Sequence, residues 1–113
     1  MGLEKIERMQ WSGFCDRISA GLIGKRAEIE IASRDFGVQV ETRSLPVVGL
    51  VYDPKSDVIE IMLEGLEHIV FHPYELYVDY GPAGIESLGI IDHYGVWQIV
   101  LLRDPPMLPA PSR

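Results

Sequence analysis

Apolar residues recur at spacings of three and four from Trp11 through Phe14, Cys15 and Ile18 to Leu22, which places them on one helical face. Gln10, Asp16 and Arg17 lie off that stripe. The spacing predicts a helix over 9–21, with Gly21 as its C-terminal stop, after a lead-in over 1–8. Beyond Gly24 the period shortens to two. Ala27, Ile29 and Ile31 alternate with Arg26, Glu28 and Glu30, the pattern of a half-buried strand. Turn residues over 33–37 separate it from a second alternating run of Val38, Val40 and Thr42, paired antiparallel. Residues 47–52 are apolar on both faces and predict a buried strand, with Gly49 as a candidate bulge.

Asp53-Pro54-Lys55-Ser56-Asp57 carries turn chemistry, because proline fixes φ and the Asp and Ser side chains bond nearby backbone. The return strand is 58–63. Further strands are predicted over 66–71, ended at His72-Pro73, then over 76–80, 85–91 and 96–102, with Gly89 as another candidate bulge. The last strand is apolar on both faces around Gln98. The prolines at 105, 106, 109 and 111 exclude helix and central strand, so 104–113 is expected to be an extended tail.

The expected fold class is α+β and β-rich, in one domain over 1–113. One N-terminal helix packs on a strongly curved antiparallel sheet, or on a small partly open barrel, of about six strands over 25–103. A flat helix-on-sheet layer is the alternative.

Composition sharpens this picture. With 113 residues, 47% apolar and 24% charged, the chain has the balance of one ordinary globular domain. No unbroken apolar run is long enough to span a membrane, and the charged start is not that of a signal peptide. The single cysteine, Cys15, cannot form an internal disulfide. The expectation is a cytoplasmic protein. The net charge is −7 and unevenly laid out: residues 56–102 contain eight Asp and Glu and no Lys or Arg. Such a field repels polyanions, so neither nucleic acid nor membrane is an expected partner. A basic partner or a cation would be attracted.

Three segments, S-L-P-V-V-G-L-V-Y-D-P-K-S-D-V-I-E-I-M-L over 44–63, L-E-H-I-V-F-H-P-Y-E-L-Y-V-D over 66–79 and G-V-W-Q-I-V-L-L-R-D-P-P-M-L-P over 95–109, follow the helix around Gln10-Trp11. Together they resemble a family of small bacterial proteins known only as a domain of unknown function. The resemblance covers roughly residues 9–110 and implies a bacterial, single-domain protein, with no activity to carry to any residue. The chain departs from the expected pattern at Tyr74, where an arginine would stand.

Candidate chemistry is sparse. His68 and His72 in one strand would stand about 13 Å apart, too far to share a zinc ion, and His93 could reach either only through the fold. They are weak metal candidates, and no cofactor is expected. Cys15 lies on the apolar stripe, where packing is the expected role. Glycine-rich phosphate loops and nucleophile elbows are absent from the sequence. Five aromatic residues fall between 71 and 94. Tyr74, Tyr80 and Tyr94, with Glu75 and Asp79, form the candidate interaction surface, because tyrosine is large, stiff and amphipathic. Alternation puts Tyr74 and Tyr80 on one side of the strand and Tyr77 on the other, in the core. The expected function is a non-enzymatic protein-interaction module with an acidic surface, taking a protein partner or a second copy of itself as a homo-oligomer. The alternative is a small-molecule or metal-binding protein, or an enzyme, using a barrel-mouth pocket. The Pro106…Pro109 spacing is a further candidate for recognition by an aromatic groove.

Overall fold

The computed structural model describes residues 2–105. Strand β1 (Gly2–Ile6) leads into a short 3-10 turn (Arg8–Gln10) and helix α1 (Trp11–Leu22). Seven strands follow: β2 (Arg26–Ser33), β3 (Gly37–Asp53), β4 (Val58–Leu63), β5 (Leu66–Phe71), β6 (Pro73–Gly81), β7 (Gly84–Asp92) and β8 (Trp97–Arg103). They form one antiparallel sheet in the order β1-β6-β7-β8-β2-β3-β4-β5. The sheet does not close, because β1 and β5 remain at its edges. It does roll: β5 comes back against β7, far from it in strand order.

The architecture is the expected one, a single helix on a β-rich antiparallel sheet, with three local corrections. The lead-in is an edge strand, where a buried alternation is neither needed nor present. The helix runs past Gly21 to Leu22. The stop belongs to Gly24, whose φ of +96° suits glycine, and the Lys25 N–H closes on the Leu22 carbonyl. The runs 38–43 and 47–52 are one strand, β3. Its pairing with β2 ends at Pro46 and its pairing with β4 begins at Val47, so the missing proline N–H falls where the strand changes partner. The register shift between Val47 and Gly49 is the expected irregularity. Gly89, by contrast, lies in an unbroken register.

Helix α1 buries Trp11, Phe14, Cys15 and Leu22, each large side chain contributing roughly 1.5–3 kcal/mol. It lies against the second half of β3, where the Leu50 N–H donates to Ser19 Oγ at 3.0 Å. Inward residues of the strands complete one core, among them Ile29, Ile59, Val70, Val78, Leu88 and Ile90. Burial pushes the Cys15 thiol up to about 12, with Asp16 adding to the shift, so a packed thiol stands there and not a nucleophile. No helix among the described residues is long and apolar enough to cross a membrane. The tail is described only as far as Asp104, which pairs with Lys25 at 2.8 Å, and Pro105. The Pro106…Pro109 spacing lies outside the described residues.

Candidate functional site: an open sheet face and a polar clamp

Strand β8 turns Gln98, Val100 and Leu102 into the core and Trp97, Ile99 and Leu101 to the other side. The registers extend this second face across five strands. Glu75, Ile91, Trp97, Ala32 and Val38 form one row. Tyr77, Gly89, Ile99, Glu30 and Val40 form the next, and Asp79, Ser87, Leu101 and Glu28 the third. The only helix among the described residues covers the inner side, so this outer side faces solvent. Trp97 is 37% exposed and Val38 65%. An apolar band of Ile91, Trp97, Ile99 and Leu101 therefore lies on the open face, reaching Val38 through Ala32 in the first row but interrupted by Glu30 and Glu28 of β2 in the second and third, with Glu75 and Asp79 on one flank and Arg26 and Arg103 at one end.

The band has a defined centre. The Trp97 indole lies over Gly89, where an added Cβ would stand 3.2 Å from the ring, and stacks on Tyr77 with centroids 5.8 Å apart. Gly89 is a seat for an aromatic ring. Tyr77 Oη donates to Glu75 at 3.0 Å, and Lys5 pairs with the same carboxylate at 3.1 Å. Lys5, and after it Tyr77, hold the Glu75 carboxyl below the ordinary value.

The expected tyrosine-and-carboxylate surface is not one face. Glu75 and Asp79 sit on the open sheet face, beside Tyr77, which is not in the core. Irregularities at both ends of β6, next to Tyr74 and at Tyr80, break the simple alternation. Tyr74 is exposed at the first, while Tyr80 packs partly against the core at the second. Tyr94 stands 83% exposed at the β7–β8 turn. The acidic residues of 56–102 likewise spread over several surfaces.

The histidines also part. His68 turns inward from β5 and donates from Nε2 to Gln98 Oε1, while Gln98 Nε2 reaches Asp92 Oδ2 at 3.4 Å. This polar chain satisfies the one buried polar side chain among the described residues. His72 forms the corner between β5 and β6 with a φ of +51°, and its carbonyl accepts from the His93 N–H at 3.0 Å. Among the described residues, no three His, Cys, Asp or Glu gather closely enough to hold a metal ion.

His72 belongs instead to a clamp. Its N–H donates to the Asp57 carbonyl at 2.9 Å, and its Nδ1 stands 3.5 Å from Asp57 Oδ2. Asp57 has a φ of +53°, so the two residues forced into the left-handed region contact each other. Tyr52 Oη donates to Asp57 Oδ1 at 3.0 Å. Arg8 Nη1 reaches both the Tyr52 hydroxyl and the Asp57 carboxylate, at 3.4 and 3.3 Å. Arg8 Nη2 donates to the Pro73 carbonyl at 2.8 Å, and the guanidinium lies 4.4 Å over the Trp11 ring. Desolvation pushes the Asp57 carboxyl up, but hydrogen bonds from Tyr52 and His72 and the charge of Arg8 outweigh it and leave the value lowered. Burial, with Asp57 beside it, raises the Tyr52 phenol. The clamp ties the segment after β1 to the β3–β4 turn and the β5–β6 corner. Arg8, the Tyr52–Asp57 pair and His72 are far apart in sequence, so no spacing could reveal the whole of it. The open face did leave a trace, in the double-sided apolar pattern of 97–102.

A family described as "Family of unknown function (DUF5335)" matches residues 3–111. An "Uncharacterized protein" of Aquifex aeolicus (strain VF5) is 35% identical over 113 residues, covering 99% of this chain and 100% of the relative. No solved structure matches the chain.

Proposed function

The chain belongs to this family of unknown function, whose description names no activity, and we propose that it is a non-enzymatic protein-interaction module whose outer sheet face docks a second copy of the chain. The observation that carries this reading is the apolar band of Ile91, Trp97, Ile99 and Leu101, joined to Val38 through Ala32 and left open where a layered β domain would be covered.

Two features favour a second copy as the occupant. Five strands at about 4.8 Å and three rows at about 6.8 Å give a face of roughly 500 Å² in plan. Side-chain relief brings that toward the ~800 Å² per partner of a stable interface. The face also carries both signs, Arg26 and Arg103 at one end and the carboxylates of Glu28, Glu30 and Asp79 on its rows, so a two-fold arrangement sets the arginines of one copy against carboxylates of the other despite the net charge of −7.

Trp97 fluorescence tests the reading. Trp11 is buried, so acrylamide quenching reports on Trp97. Quenching should rise on dilution and become independent of concentration in Leu101→Glu. Quenching that is high and unchanged by dilution in the wild-type protein would contradict docking at this face.

A further inference from the structure

We propose that β1 is an exchangeable strand, and that the edge of β6 beneath it is a docking edge for the β1 of a second copy. This inference stands apart from the outer-face reading and rests on how β1 is held.

Strand β1 pairs only with β6, through five residue pairs from Gly2↔Tyr80 to Ile6↔Leu76. Four of its five residues are exposed and only Ile6 is buried. The strand therefore adds little side-chain burial of its own, and its attachment is mainly a backbone ladder with the Lys5–Glu75 ion pair at 3.1 Å. The anchors that stay behind are Arg8 in the clamp and Trp11, whose Nε1 donates to the Ile6 carbonyl of β1 itself at 2.8 Å and must release it when the strand leaves. Between β1 and these anchors stands Glu7, extended at φ −66° and ψ 144°. A hinge at Glu7 leaves the 3-10 turn, the helix and the clamp in place while β1 swings out.

Bared, the edge of β6 would be an aggregation template. Residues 74–81 contain no Lys, Arg or Pro; the protections that remain are Glu75, Asp79 and the irregularities at the two ends of β6, which leave Leu76 to Val78 unguarded between them. Something extended must cover it. The β1 of a second copy satisfies the contacts that the chain's own β1 makes: the same five pairs, the same ion pair, the same burial of Ile6 and the same bond from Trp11 Nε1 to the Ile6 carbonyl. Exchange thus preserves the native contacts and changes only the connection, the condition for domain swapping.

The Lys5–Glu75 pair supplies the readout, because a zero-length carbodiimide cross-link joins those two side chains only where β1 lies on β6. Equal amounts of ¹⁴N and ¹⁵N protein in the Leu101→Glu background, which removes docking through the outer face, are incubated at high concentration, cross-linked and digested. Mixed-isotope Lys5–Glu75 peptides should appear and increase with protein concentration, with about half of all links as the ceiling reached only when every β1 is exchanged. In the same background, Arg8→Met should speed their appearance several-fold by loosening the segment that anchors the hinge. Cross-links of one isotope only, in both proteins and at all times, would overturn exchange while leaving the outer-face reading untouched.

Discussion

The two sides of β8 are built from similar residues and meet different fates. On the inner side Val100 and Leu102 are sealed beneath α1 and the returning strands, and the one polar side chain, Gln98, is bonded at both ends of its amide by His68 and Asp92. On the outer side Trp97, Ile99 and Leu101 are equally apolar but remain half-open, with Tyr77 and Gly89 arranged around the indole. On β8, cover and not composition separates the two sides. A chain with one helix can bury one side of a rolled sheet, and the apolar side left over is available to another molecule.

The comparison breaks most visibly at the inner side. Ile90, fully buried opposite Leu76 and Gln98, should cost about 2–5 kcal/mol when truncated to alanine, read by urea unfolding. Gln98→Ala leaves His68 and Asp92 without their shared partner and should cost about 1–3 kcal/mol. On the outer side, Leu101→Ala should change the unfolding free energy of the monomer by less than about 1 kcal/mol, while weakening association. A cost at Leu101 as large as at Ile90 would erase the distinction between the faces.

The smallest effect is expected from pH. Asp57 and Glu75 both titrate below their ordinary values of 3.8 and 4.5, so in the folded state each holds its proton less tightly than in the unfolded chain. Their stabilisation is present above those values and fades as pH falls through the lower, folded ones. Stability should therefore drop below about pH 4.5, and Asp57→Asn should flatten part of that acid limb. An acid limb unchanged by Asp57→Asn would remove the clamp from the account.

Much of the fold was legible because burial imposes a period. The α1 stripe from Trp11 to Leu22 and the alternation of β2 each required one covered side, and their residues show it. Strand β1 escaped because an edge strand with four exposed residues carries no such period. The continuity of β3 was hidden by Pro46, whose missing donor reads as a break unless the change of partner is known. The residues expected to form one tyrosine-and-carboxylate surface are divided between faces, because irregularities at both ends of β6 re-aim Tyr74 and Tyr80. The clamp was invisible for a different reason: Arg8, Tyr52, Asp57 and His72 meet only through the rolled sheet. The open face lay between these cases. Its apolar residues were readable in 97–102, but the lack of a cover is a property of the whole topology.

The most direct test is the solution mass of wild type and Leu101→Glu, by size exclusion with light scattering at low and high salt. Docking through the outer face predicts a wild-type mass of twice 12.7 kDa that survives high salt, because Trp97, Ile99 and Leu101 lie in the interface, and a mass of 12.7 kDa for Leu101→Glu in dilute solution, where exchanged β1 strands return to their own chains. A wild-type monomer at every concentration, or a Leu101→Glu variant that stays as dimeric as the wild type on dilution, would contradict it.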